Sequence, residues 1–75
     1  MSEDVYMEEF AVEVRKKLAD DSDKFVCQLD VFQTLEKAQK FIEEYDEPLD
    51  KDEFLSILAI EYDKNENEVG IYFVD

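Results

Sequence analysis

The 75-residue sequence predicts an α+β fold: a single small domain with the order ββαββ, in which a four-stranded, mainly antiparallel sheet carries one helix on a face. Three observations lead there. Segments 10–18 and 25–32 alternate apolar and polar residues with the period of a strand. Segment 35–45 carries an apolar stripe at helical spacing, and segments 53–62 and 69–74 are apolar runs joined by a short polar loop. Seventy-five residues leave room for one core, so residues 1–75 read as one domain.

In segment 10–18, Phe10, Val12, Val14 and Leu18 share one face of a strand, and Glu13, Arg15 and Lys17 share the other. A helix competes for this segment. Tyr6, Phe10, Val14 and Leu18 recur every fourth residue, acids precede bases, and Ser2 offers a cap. Val12 and the obvious partner strand that follows favour the strand. Residues 19–24 form a polar turn rich in Asp, and segment 25–32 then points Phe25, Cys27, Leu29 and Val31 one way and Val26, Gln28, Asp30 and Phe32 the other.

The helix is the clearest element. Thr34 is placed to cap it, Leu35, Ala38, Phe41, Ile42 and Tyr45 form its stripe, and Glu36–Lys40 and Lys40–Glu44 are favourable pairs four residues apart. Pro48 prevents its continuation. Segment 53–62 is apolar on both faces, as a central strand covered on both sides would be, and Phe41 and Ile42 are expected to pack on Leu58 and Ile60 or their face neighbours. The loop to the final strand, 69–74, is short enough for a hairpin.

Composition excludes most chemistry. The chain has no His, one Cys and one Gly, so a histidine triad, a His- or Cys-ligated zinc and a glycine-rich phosphate loop are all beyond it. No enzyme activity, metal or cofactor is expected. Asp63-Lys64-Asn65-Glu66-Asn67 imitates the opening of a calcium loop, but Glu68 stands where Gly is needed and Val74 where a bidentate Glu is needed, so it reads as a polar turn. Carboxylate pairs such as Glu43/Glu44 and Asp52/Glu53 need a cleft to do acid–base work, and one helix over a small sheet offers little cleft. Cys27, mid-strand on an apolar face, reads as a small buried hydrophobe. The start, Met1-Ser2-Glu3-Asp4, does not resemble a signal peptide, no apolar run reaches membrane-spanning length, and the lone cysteine fits a reducing cytoplasm.

Charge is the most informative property. Twenty-two acids oppose eight bases, for a net −14, and residues 41–75 carry −10 of it. Glu43, Glu44, Asp46, Glu47, Asp50, Asp52 and Glu53 crowd one stretch, and Glu61, Asp63, Glu66 and Glu68 flank the hairpin. These are expected to line one edge and to meet a basic partner, since repulsion on this scale exceeds what solubility needs; acids of the turn 20–23 are expected to matter less. Free nucleic acid and anionic membranes are repelled by such a surface. Apolar residues are also in surplus. Val26, Phe32, Tyr72 and Val74, with Phe54 or Leu55 according to register, are assigned to the face away from the helix, partly covered by Tyr6 and Met7 or used in a homodimer or target interface.

The strand-to-helix passage Val31-Phe32-Gln33-Thr34-Leu35-Glu36-Lys37-Ala38, the acidic run 43–53 and the hairpin from Ile60-Glu61-Tyr62-Asp63 to Gly70 together resemble the small phage-encoded inhibitors of bacterial defence, among them anti-CRISPR proteins and other DNA mimics. The resemblance implies a protein of the bacterial host cytoplasm that occupies the nucleic-acid channel of a basic protein or ribonucleoprotein, such as a CRISPR effector. A non-enzymatic interaction module, or a homodimeric regulator binding through its sheet, is the alternative class, and an enzyme or ion binder a third.

Overall fold

The computed structural model describes residues 5–74. Its elements are β1 (Met7–Lys17), β2 (Asp23–Phe32), α1 (Leu35–Glu44), β3 (Glu53–Tyr62) and β4 (Glu68–Val74), the order ββαββ. All strand pairs are antiparallel, in the order β2-β1-β3-β4. Segment 53–62 is interior, and it shares the interior with β1. That position explains why β1 is a strand rather than a helix: a strand on each side satisfies its backbone groups, and Val12 is fully buried. Ser2, the cap of the competing helix, lies outside the described residues.

The faces of the sheet follow from register. Phe10 pairs with Ala59, Val12 with Ile57 and Val14 with Leu55, so these residues share the face that α1 covers. Phe10, Val12, Ala38, Ile57 and Ala59 form the buried core, with Leu29, Phe32, Leu35, Phe41, Ile42 and Val74 packed around it. Helix residues Phe41 and Ile42 therefore meet the side of β3 that carries Ile57 and Ala59. Leu58 and Ile60, the expected partners, lie on the opposite face, paired with Ala11 and Glu9. Both parities of β3 are apolar, so only its pairing with β1 selects between them.

Strand β2 departs from simple alternation twice. Its register against β1 skips Leu29 and then Val26, one residue each time, and each skip reverses the inward–outward order. Phe32 consequently faces the helix with Leu29, whereas Val31 and Phe25 pair with Ala11 and Arg15 on the other face. Cys27 is exposed on this edge strand rather than buried. In β4, Val74 pairs with Ile57 and Tyr72 with Ala59, so both share the helix-covered face, and Ile71 and Phe73 occupy the other. Tyr6 is 72% exposed and covers little.

Helix α1 begins as its residues dictate. The Thr34 hydroxyl accepts a hydrogen bond from the Lys37 amide at 3.2 Å. Leu35, Ala38, Phe41 and Ile42 point inward, and the Phe41 ring lies 5.4 Å from Phe32 and 5.8 Å from Tyr45. The helix rests on β1 and β2, leaving an open groove of about 530 Å³ beside β3 and β4, with Ile42, Leu55, Ile57 and Val74 in its walls. Among the described residues both ion pairs are made by Arg15, so Glu36–Lys40 and Lys40–Glu44 are not closed. No helix is long and apolar enough to cross a membrane.

Candidate functional site: two acidic ends and an uncovered sheet face

The predicted acidic residues do not form one edge. Strand β3 begins at Glu53 and ends at Tyr62, and ten residues in a strand span about 30 Å. Glu43, Asp50, Asp52 and Glu53 lie around its start, Glu44, Asp46 and Glu47 cluster beside Phe41 and Tyr45 at the end of α1, and Glu61, Asp63, Glu66 and Glu68 gather around its finish. The physical reason is the length of β3 itself, which separates the linker from the hairpin.

The linker end contains more than was expected of it. The Lys17 amide donates to the Asp52 carbonyl at 2.8 Å, which ties the end of β1 to the linker. The turn that follows β1 therefore brings Asp20, Asp21 and Asp23 to the same end as Asp50, Asp52 and Glu53. Asp20 accepts from both the amide (3.1 Å) and the hydroxyl (2.5 Å) of Ser22, and these bonds hold its carboxyl below the usual carboxylate range. Lys16, Lys17, Lys24 and Lys51 are interspersed here, so the negative charge is partly offset.

The hairpin end is more purely acidic. Pairing of β1 with β3 sets Glu8 directly opposite Glu61 and Glu9 opposite Ile60, while Glu68 pairs with Tyr62. Lys64 is the one cation in the hairpin loop. The Tyr72 hydroxyl donates to Glu8 at 3.0 Å, and this bond, with Glu61 nearby, pushes the tyrosine pKa up. Tyr62 is raised too, by desolvation first and then by Glu9 and Glu68. Glu8 and Glu9 are the members of this group that sequence reasoning missed. Their signal was the adjacency of two acids at the start of a strand, but register was needed to set Glu8 beside Glu61 on one face and Glu9 beside Tyr62 on the other.

The hairpin loop is closed by its own side chains. Asp63 accepts from the amides of Asn65 (2.8 Å) and Asn67 (3.0 Å), bonds that lower its pKa and occupy one carboxylate oxygen. The segment that imitates a calcium loop is thus a self-capped turn, with Glu66 in the left-handed region at φ 68°. Among the described residues no three Asp, Glu or Cys side chains converge to hold a metal ion.

The third surface is the sheet face away from α1. Phe25, Val31, Phe54, Ile71 and Phe73 stand exposed on it, with Leu58 and Ile60 half-buried between them. At its centre lies an unexpected charge. Glu13, 4% exposed, accepts from Arg15 Nη1 at 2.6 Å, while Arg15 Nε donates to Asp23 at 2.7 Å and the guanidinium sits 5.0 Å from the centre of the Phe73 ring. The two carboxylates raise the Arg15 pKa. Alternation alone puts Glu13 on an ordinary polar face; the flanking strands enclose it instead. Comparison with protein-family models, with characterised proteins and with solved structures finds no match to this chain.

Proposed function

We infer that this chain is a non-enzymatic inhibitor that occupies the phosphate-binding surface of a basic nucleic-acid-binding protein or ribonucleoprotein, as a nucleic-acid mimic. One observation carries this reading: β1 and β3 place Glu8 directly opposite Glu61 within a group containing Glu9, Asp63, Glu66 and Glu68. Like charges directly opposite one another across a strand pair destabilise a sheet. A basic partner converts that cost into complementarity. The two acidic ends lie about 30 Å apart along β3, close to one turn of duplex DNA, about 34 Å. A bacterial defence complex that grips nucleic acid, such as a CRISPR effector, is the partner class that the resemblance implies.

The experiment is capture of proteins from a bacterial lysate on the immobilised chain, followed by elution with salt and with added duplex DNA or RNA. The expected captures are basic nucleic-acid-binding proteins, released by either eluant, because exposed charge contacts weaken steeply with ionic strength. Reversing Glu61, Asp63, Glu66 and Glu68 to Lys is expected to abolish capture. Reversing Glu43, Glu44, Asp46 and Glu47 tests the other end separately. Capture that survives both reversals, or that nucleic acid does not displace, rejects mimicry.

A further inference from the structure

The uncovered sheet face has a composition unlike the rest of the molecule. Ile71 and Phe73 are 55% and 52% exposed, and Val31, Phe54, Leu58 and Ile60 extend the apolar surface across β2 and β3. Contiguous apolar surface of this kind marks an interface. We propose that two copies of this chain associate through this face into a twofold-symmetric dimer, an inference that goes beyond the inhibitory function above and does not depend on it.

Charge selects the occupant. The acids responsible for the net −14 lie chiefly at the two ends of the molecule, while the centre of the face holds Glu13 and Arg15, already joined at 2.6 Å. Arg15 is joined to Asp23 as well and rests on Phe73. Covering this face therefore desolvates a pair that is already made, instead of leaving a charge without a partner. A basic protein would find its complementary acids at the ends and little to attract it here. A second copy presents the same surface, apolar apart from the joined Glu13–Arg15 pair and Glu9 at its hairpin end, and in an isologous contact complements it.

Area agrees with this assignment. Four strands about 4.8 Å apart, each running up to about 30 Å, make a face of roughly 550 Å² in projection, so two copies would bury about 1,100 Å², which clears the ~1,000 Å² that a specific interface needs.

Sedimentation equilibrium of the 75-residue chain tests the proposal. The expected mass is twice the 8.9 kDa of the chain, with association that tightens as salt screens the acidic ends. Ile71→Lys and Phe73→Lys change exposed side chains on the face, and each is expected to weaken association at least about thirtyfold while leaving the circular dichroism spectrum unchanged. Tyr72→Lys is the internal comparison. It alters the same strand at a residue 46% exposed on the other face, and it is expected to leave the dimer intact. A mass of 8.9 kDa at every concentration and salt overturns the proposal. So does a dimer that Phe73→Lys does not weaken, or that Tyr72→Lys weakens equally, since either places the contact elsewhere, for instance on the free edge of β4.

Discussion

Glu13 and Arg15 are the residues on which the molecule departs furthest from a simple alternating strand. The carboxylate is nearly excluded from solvent, and its stability rests on a charge-assisted bond at 2.6 Å to a guanidinium whose own side chain is 17% exposed. Removing the cation leaves the buried carboxylate without its partner. Arg15→Ala is therefore expected to lower unfolding free energy by about 3 kcal/mol, the low end for breaking a buried pair, because Arg15 retains some solvent contact. Glu13→Gln keeps the volume and hydrogen-bonding capacity and leaves Arg15 paired with Asp23, so its cost is expected to be about 1 kcal/mol. Urea titration of the two variants checks the order. Equal costs would mean that side-chain packing, not charge, holds this pair in place.

Among the elements, α1 and β2 illustrate different degrees of legibility. The cap at Thr34, the stripe and the stop before Pro48 are all local properties, and the structure places the helix at Leu35–Glu44 accordingly. What the stripe packs against is not local. Phe41 touches Phe32 and Tyr45 and borders the cluster containing Ile57 and Ala59. Because Phe41 is half-buried, Phe41→Ala is expected to cost about 3 kcal/mol, the lower end for such truncations. A domain of this size holds only about 4–11 kcal/mol in total, so the melting temperature is expected to fall by ten degrees or more, on the order of 4–8 °C per kcal/mol. A shift of a few degrees would show that the helix contributes little to the core. Strand β2 shows the opposite case. Its two skipped residues leave no pattern in sequence, because a bulge is defined only against the strand it pairs with; alternation therefore misplaces the faces of Phe32, Val31 and Phe25, while Cys27 keeps its face but is exposed at the edge.

At the scale of the whole molecule the dominant quantity is the charge of −14 on 75 residues. Self-repulsion makes the folded state sensitive to ionic strength and to pH. The melting temperature is expected to rise as salt is increased, since the ion pairs that screening weakens are confined among the described residues to Arg15. Acidification from pH 7 towards about 5 begins to neutralise repelling carboxylates and is expected to stabilise. Below about pH 4 the sign reverses. Asp20 and Asp63 have folded-state pKa values below their ordinary ones, so the stabilisation each supplies is complete above the unfolded value and lost as pH falls through the folded one. At the alkaline end Tyr62 and Tyr72, both raised, resist ionisation in the fold, so stability is expected to fall as pH climbs past about 10. Thermal melts across pH check this profile; stability that declines steadily from pH 7 to 4 would contradict it.

The type of every element but β1, the helix cap and the acidity of the linker and hairpin were determined by the sequence itself, because period, capping and composition act over a few neighbouring residues; β1 is a strand because a strand pairs with it on each side. Tertiary structure alone decided which side of β3 meets the helix, that the two acidic groups stand at opposite ends of one strand, that Glu8 and Glu9 join the hairpin acids, and that Asp20, Asp21 and Asp23 join the linker acids. The reason is that register is a relation between segments far apart in the chain. In β3, with apolar residues at both parities, a shift of one position exchanges the faces without altering the local pattern.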